Sequence, residues 1–184
     1  MLAQKGLDRT TISDITSEAG LGFGTFYNYF ASKEELYQEL VRNALGLLVK
    51  SIDQRCERTP DHRERLRIIA EEAADFAADR SDLFVLLTTH PDVHDAAHEG
   101  VEGLAHSLKG WLRRGFDDGA FQPVDPDIVV KAIIGMYAFV LRPVARDARR
   151  RDEIKSALTR LIQGAVIGIQ ENPSVRREKG EHTA

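Results

Sequence analysis

The segment Thr10–Leu36, TTISDITSEAGLGFGTFYNYFASKEEL, carries the strongest folding signals in the chain. Thr11 and Ser32 each precede an acidic residue by three positions, the spacing of a capping box that satisfies free N–H groups at a helix start. Between the two starts, Gly20 tolerates the positive φ that a tight turn requires. The segment therefore predicts a helix-turn-helix followed by a longer helix from Ser32.

Most of the remaining chain repeats apolar residues with a helical period, as at Leu66, Ile69 and Ala73. We find no convincing alternation of apolar and polar residues, the pattern of a half-buried strand. We therefore predict an all-α protein with a helix-turn-helix head and a larger helical body. The expected units are residues 1–48 for the head with a connecting helix, 49–172 for the body, and 173–184 for a disordered polar tail.

Residues 22–30 predict a short helix with two unlike faces. Three aromatic residues share one face and are expected to pack inward: Phe23, Phe26 and Phe30. The connecting helix is expected over Ser32–Gln54, and its inner side is marked by Leu36, Leu40, Leu47 and Leu48.

The outer face of residues 22–30 has the chemistry of a surface that enters a DNA major groove. Gly24 permits close approach of the backbone, the Thr25 hydroxyl and methyl can contact a phosphate, a base or a thymine methyl, and Asn28 can pair with an adenine edge. The hydroxyls of Tyr27 and Tyr29 can donate to phosphates. Just beyond them, Lys33 opens the next helix, where its ammonium and the free N–H groups could hold a phosphate.

Two other interpretations of this segment are weaker. A buried helical hairpin explains the phenylalanines, but it gives no packing reason for the polar aromatic cluster opposite them. A glycine-rich nucleotide loop would use Gly20, Gly22 and Gly24, but such loops follow a strand and none is predicted here.

The same segment resembles the signature of the TetR (tetracycline-repressor) family of bacterial transcriptional regulators. The matching residues are Thr11, Ile15, Ala19, Gly20, Gly24, Thr25, Tyr27, Tyr29, Phe30, Ser32, Lys33 and Leu36. The resemblance implies a repressor that binds a palindromic operator as a homodimer, with Thr11 at the DNA surface and recognition helices about 34 Å apart. It also implies release from DNA by a small molecule.

The chain departs from that family pattern in its first helix and its charge. The family's first helix begins roughly a dozen residues earlier, so Met1–Lys5 corresponds only to its end. Residues 1–42 hold four Lys and Arg against six Asp and Glu, a net charge of −2, and the whole chain carries −4. An acidic head is poorly suited to phosphate binding. In addition, Gly22 replaces the usual capping serine.

The bulk composition is that of a protein inside the cell. Cys56 is the single cysteine, so an internal disulfide is impossible, and we expect a passive helix residue rather than a redox sensor. The N-terminus lacks the apolar segment of a signal peptide. The longest strongly apolar run, Ala132–Leu141, is shorter than the roughly 20 residues that span a bilayer. We therefore expect a cytoplasmic protein with no membrane partner.

The body supplies candidates for an effector pocket and a metal site. Large apolar side chains predict a small, mostly apolar or aromatic effector, and the selected pocket residues are Phe76, Phe84, Trp111, Met136 and Tyr137. Four-residue spacing on one helix would let His94 and His98 chelate a metal, whereas Pro91 is expected to break the helix between them and His90. No cysteine and few carboxylates are near. We expect solvated histidines, no metal and no cofactor.

The last helix, expected over Asp152–Glu171, carries the pattern of a dimer interface. Gly164 and Gly168 flank Ala165 and would let a partner helix approach closely. The family resemblance places the last two helices in a four-helix interface, for which Ile154 and Leu161 are the further candidates.

Two other functions stay open. One is a helical protein that binds a small molecule or a metal and no longer binds DNA, because most of the first helix is missing. The other is a small helical enzyme, which ranks lower because no activated serine, cysteine–histidine pair or paired carboxylates are recognisable. The effector, the operator and the choice between repression and activation are not specified by the sequence.

Overall fold

The computed structural model describes residues 6–89, 94–122 and 124–167, and helices form all of their regular secondary structure. The all-α prediction is confirmed. A 3-10 turn at Ala148–Arg150 precedes the last of the nine described helices. In chain order these are α1 (Ile12–Glu18), α2 (Phe23–Phe26), α3 (Lys33–Glu57), α4 (His62–Asp79), α5 (Ser81–Thr89), α6 (His94–Asp117), α7 (Pro126–Val140), α8 (Arg142–Arg146) and α9 (Arg151–Ile167). The Met1–Lys5 segment and the tail after residue 173 lie outside the described residues.

Side-chain caps fix the helix starts that the sequence indicated. At α1, the Thr11 hydroxyl accepts from the N–H of Asp14 at 3.1 Å, and the Asp14 carboxylate accepts from the N–H of Thr11 at 3.0 Å. At α3, the Ser32 hydroxyl accepts from the N–H of Glu35 at 3.1 Å. Such caps are each worth about 1 kcal/mol, which explains why the local sequence sets these boundaries.

The 25-residue helix α3 joins head and body. Its buried side chains recur with helical spacing along one side and comprise Tyr37, Val41, Ala44, Leu45, Leu48, Ile52 and Cys56. Helix α6 packs most extensively on this side. The two helices pack tightly at Gly100, where an added Cβ would lie 2.9 Å from Val41 Cγ1 and 3.3 Å from Leu45 Cδ1. A side chain at position 100 would therefore push the two helices apart.

Ion pairs fasten the outer helices to this centre. Arg55 of α3 donates to Glu71 at 2.8 Å and to Glu72 at 2.6 Å on α4. Asp75 of α4 pairs with Lys155 of α9 at 2.8 Å and with Arg151 at 3.2 Å. These pairs are partly exposed, so they set the register of neighbouring helices more than they stabilise the fold.

The prediction that Leu40 and Leu47 lie on the inner side of α3 is wrong. Leu40 is 43% exposed and Leu47 is 57% exposed, whereas Leu48 is buried as expected. Val41, Leu45 and Leu48 define the buried face of α3. Leu40 and Leu47 lie beside this face, on the neighbouring exposed side of the helix. There, with the half-buried Leu36, they line an open groove between the head and α5.

Gly115 provides a test of packing at the end of α6. A Cβ at this position would overlap the ring of the buried Phe121, which therefore packs directly on the glycine. We expect Gly115→Ala to lower the free energy of unfolding by about 1–3 kcal/mol, because the ring cannot keep its place. Urea unfolding of the full chain measures this.

Gly110→Ala is the matched control. Gly110 lies in the same helix with nothing within 4 Å of an added Cβ. The substitution should raise stability by up to about 1 kcal/mol through helix propensity alone. Equal effects of the two substitutions would contradict the packing of Phe121 on Gly115.

Candidate functional site

The turn between α1 and α2 sets the geometry of the head. Gly20 has φ +67°, and the N–H of Leu21 donates to the carbonyl of Thr16 at 2.8 Å. Phe26 and Thr16 are buried beneath the turn at 5% and 4% exposure. The two short helices are thus held at a fixed angle, as a helix-turn-helix requires.

The outer side of α2 and the turn after it form an exposed surface, here called the reading face. Gly24, Asn28, Tyr27 and Tyr29 are all exposed, the tyrosines by 52% and 73%. Nothing lies within 4 Å of an added Cβ at Gly24, so the backbone there is open to a partner. Thr25 is half-buried beside this surface. Four of these five predicted residues are thus exposed within six consecutive positions of the head.

Helix α2 is shorter than the predicted span of residues 22–30. It ends at Phe26, and the chain continues through turn bonds from Asn28 to Thr25 at 3.3 Å and from Tyr29 to Phe26 at 3.0 Å. Aromatic, β-branched and glycine residues have low helix propensity, which explains the loss of regular helix here.

The prediction that Phe23 packs inward is wrong. Its side chain is 55% exposed, and its ring meets Tyr27 edge-on with centroids 5.6 Å apart. Leu21 beside it is 52% exposed. Phe23 is the first residue of a one-turn helix, so its side chain lies beyond the small core that buries Phe26. A helical wheel cannot show this, because the limit of the core depends on the tertiary fold.

Lys33 has a structural role that the sequence did not indicate. Its ammonium donates to the backbone carbonyls of Leu7 at 2.7 Å, Asp8 at 3.2 Å and Thr10 at 3.3 Å, and its side chain is 22% exposed. These contacts hold residues 7–10 against the start of α3. In this arrangement the ammonium is engaged by protein carbonyls rather than presented to a phosphate. Thr11 is exposed, but its hydroxyl oxygen caps α1.

The body contains a partly open cavity of about 210 Å³ between α3, α4, α5, α6 and α7. The predicted residues Phe76, Phe84 and Tyr137 line it. Trp111 and Met136 are not among the described residues that line this cavity. Trp111 points elsewhere because its indole N–H donates to Asp53 of α3 at 2.9 Å, a pairing across 58 residues that no local pattern reveals.

The histidines do not form a recognisable metal site in the described part of the chain. His98 is exposed and lines the cavity, whereas His90 and the side chain of His94 lie outside the described residues. Within the described residues, no three His, Cys, Asp or Glu side chains come together. Burial raises the pKa of the Cys56 thiol to about 11, which matches the expectation of a passive cysteine.

Helices α7 and α9 leave an apolar face uncovered, here called the α7–α9 face. Ile128 and Phe139 of α7 are 64% and 71% exposed, and Leu161 of α9 is 55% exposed. Gly135, Gly164 and Ala165 are exposed with them. Ile154 is wrong as an interface candidate, because it is buried at 6% exposure in the single-chain core. Gly168 lies outside the described residues.

The apolar stretch that includes α7 is longer than the ten residues identified from sequence. Pro126–Ala145 has a mean hydropathy of 1.8 and is long enough to cross a membrane by length and composition alone. Only 28% of it is buried. A single helix of this kind is weak evidence for a membrane span, because the core helix of a soluble protein passes the same test.

Comparison with known proteins identifies relatives of the head. Residues 1–40 match the family described as bacterial regulatory proteins, tetR family. The N-terminal head is therefore similar to the DNA-binding part of the TetR family. The chain is 31% identical over 111 residues to the uncharacterized HTH-type transcriptional regulator YvdT of Bacillus subtilis, across 60% of this chain and 52% of that protein.

Further TetR relatives share shorter or more distant similarity. The HTH-type transcriptional repressor KstR2 of Mycobacterium tuberculosis is 40% identical over 67 residues, across 36% of this chain and 34% of its own. The chain thus spans about half of YvdT and a third of KstR2. The structure of the transcriptional regulator FadR of Bacillus subtilis in complex with stearoyl-CoA has a TM-score of 0.78 at 19% identity, over 92% of this chain and 94% of that one. This likeness shows that the chain shares the fold of that regulator through head and body.

The contacts of Lys33 predict how its loss would act. Lys33→Met removes the donor to three carbonyls, so we expect the free energy of unfolding to fall by about 1–3 kcal/mol. Amide hydrogen exchange in residues 7–11 should accelerate. Lys50→Met, at an exposed lysine on the same helix, is the matched control and should change neither measurement. Unchanged exchange in Lys33→Met would show that the ammonium does not hold this segment.

Proposed function

We propose that this protein is a ligand-responsive transcriptional regulator, acting as a repressor, that binds a palindromic operator as a dimer and is released by a small, mostly apolar molecule. The observation that carries the proposal is the reading face, where hydrogen-bonding and aromatic side chains are exposed beside an open glycine. An exposed surface with this chemistry has the features of a DNA contact.

Different residues of the reading face suit contacts to bases and contacts to phosphates. Asn28 is exposed and can make two hydrogen bonds with an adenine edge. Tyr27 and Tyr29 can donate to phosphates, which positions the head without reading the sequence. Phe23 and Leu21 add apolar surface that suits thymine methyl groups. Of the predicted contacts, we assign Lys33 and Thr11 to holding the head together.

The acidic charge of the head limits the electrostatic contribution to DNA binding and its dependence on salt. Residues 1–42 carry a net −2, and Lys33 is engaged by three carbonyls. Few phosphates can then be neutralised by each head, so the affinity should depend weakly on salt compared with that of basic DNA-binding proteins. Most of the affinity would then come from binding by both heads of a dimer. Once one head is bound, the second head is held close to its half-site and binds at a high effective concentration.

The α7–α9 face supports a homodimer. It places exposed aliphatic and aromatic side chains beside small residues, a combination that lets two helices from a second copy pack closely. An exposed apolar helix face of this size is unfavourable in water. A second copy that covers it would also set the spacing of two heads on successive turns of DNA.

The cavity supports the small-molecule part of the proposal. Leu45, Leu48 and Ile52 of α3 form part of its wall. The same helix begins at Lys33 beside the reading face, so the cavity wall starts about 18 Å along one helix from the head. A molecule that prefers a different position of α3 would move the head and weaken DNA binding, whereas equal affinity for both positions would change nothing.

A gel shift with DNA flanking the gene of this protein tests DNA binding. Tyr29→Ala should lower the affinity at least fivefold, because it removes a phosphate donor and aromatic surface. Gln54→Ala, exposed at the body end of α3, is the control and should leave the shift unchanged. An unchanged shift with Tyr29→Ala would remove the reading face as the contact. If the unaltered protein binds no tested DNA, the alternative of a binding protein without DNA affinity is favoured.

Sedimentation of two glycine variants tests the dimer. Gly164→Leu places a large side chain at the centre of the α7–α9 face, and we expect it to weaken the dimer at least tenfold. Gly103→Leu adds the same side chain at an exposed position of α6 with nothing within 4 Å, so the dimer should be kept. A monomeric unaltered chain, or an intact Gly164→Leu dimer, would contradict this interface.

A further inference from the structure

Large apolar and aromatic side chains are concentrated on the exposed side of the head. Leu21, Phe23, Tyr27 and Tyr29 lie within nine positions, and each is more than half exposed. Single exposed apolar residues are common on protein surfaces, but a group of them marks an interaction site. The two tyrosines carry hydroxyls that can donate to phosphates, whereas Leu21 and Phe23 carry no polar side-chain atom. The part of the partner that meets Phe23 must therefore be apolar.

The ring of Phe23 is held by edge-on aromatic contacts that lead into the core. Its centroid lies 5.6 Å from that of Tyr27, and the centroid of Tyr27 lies 5.5 Å from that of Phe26. Phe26 is 5% exposed. Edge-on pairs of this kind are favourable, so the exposed ring keeps a defined position. A ring that is fixed before binding loses little conformational freedom when a partner covers it.

The chain around Phe23 presents neither charge nor bulk. Residues 19–31, AGLGFGTFYNYFA, contain no Asp, Glu, Lys, Arg or His. Gly22 and Gly24 on either side of Phe23 are exposed, and nothing lies within 4 Å of an added Cβ at Gly24. A partner can therefore reach the ring closely, and this contact does not depend on neutralising phosphates.

The major groove of DNA offers one apolar group, the C5 methyl group of thymine. The other groups on base edges there are hydrogen-bond donors and acceptors, with which a phenyl ring cannot pair. In a helix-turn-helix, the first residues of the second helix contact base edges. Phe23 is the first residue of α2. It is therefore placed to meet a base edge, and thymine is the base that gains from the contact.

We infer that Phe23 is a sequence-reading residue that selects thymine through its C5 methyl group, with Leu21 extending the same apolar contact. The inference rests on the proposed function and deepens it, because it names a base that each half of the operator must contain. It also separates the roles of two neighbours. Phe23 determines which sequence is bound, whereas Tyr29 contributes to the affinity for every sequence.

Replacing thymine by uracil in a bound duplex tests the inference, because uracil pairs with adenine in the same way and lacks only the methyl group. The duplex is one that the full-length protein selects from a random library, prepared once with thymine and once with deoxyuridine. Fluorescence anisotropy gives both dissociation constants. The deoxyuridine duplex should bind about fourfold more weakly for each methyl group that the protein covers.

The variant Phe23→Ala should bind the two duplexes with nearly equal affinity, because the side chain that covers the methyl group is removed. Its thermal unfolding should be unchanged, since Phe23 is more than half exposed. Leu47→Ala is the matched control: it removes an equally exposed leucine from α3 and should keep both affinities. Tyr29→Ala should weaken both complexes by the same factor and so keep the preference for thymine.

Equal binding of the two duplexes by the unaltered protein would overturn the inference. An unchanged preference in Phe23→Ala would overturn it as well, and would assign the methyl contact to another residue such as Thr25. In both cases the protein still binds DNA, so the proposed function stands. Selection of no duplex at all would refute the proposed function, and the inference with it.

Discussion

The continuity of α3 is the constraint on which the rest of the structure depends. Its buried side chains lie on one side for about five turns, so the head and the body are packed against the same rigid helix. Lys33 ties the start of this helix to the head, and Ile52 and Cys56 fix its end within the body. A change in the position of α3 relative to α6 therefore changes the position of the reading face, and neither part can move without the other.

Local chemistry predicted where helices begin, and tertiary packing decided which side chains are buried. The capping residues Thr11 and Ser32 start helices as their sequence context indicated, because a cap acts over three residues. Phe23 and Leu40 were expected inside and are exposed, since a periodic pattern gives a face but not the extent of the partner that covers it. Trp111 shows the same limit, because its partner Asp53 lies 58 residues away.

The candidate sites were predictable to different degrees for the same reason. The reading face lies within a few residues of one turn, so sequence spacing located Tyr27, Asn28 and Tyr29 correctly on one exposed surface. The cavity is built from five helices, and only part of its wall was identified. Ile154 shows that an apolar pattern alone does not separate core from interface, since it faces inward while Leu161 on the same helix faces solvent.

The contact at Gly100 connects the cavity to the head. Leu45 touches the position of an added Cβ at Gly100 and also lines the cavity, and His98 and Val101 beside Gly100 line it as well. Under the proposed function, a ligand that presses on Leu45 or Val101 would act where α3 and α6 pack tightly, and packed helices do not deform gradually. The resulting shift would reach α3 between the cavity and the head. A small displacement there would be carried along the helix to the reading face, so that a cavity without contact to DNA could control a surface at the other end of the helix.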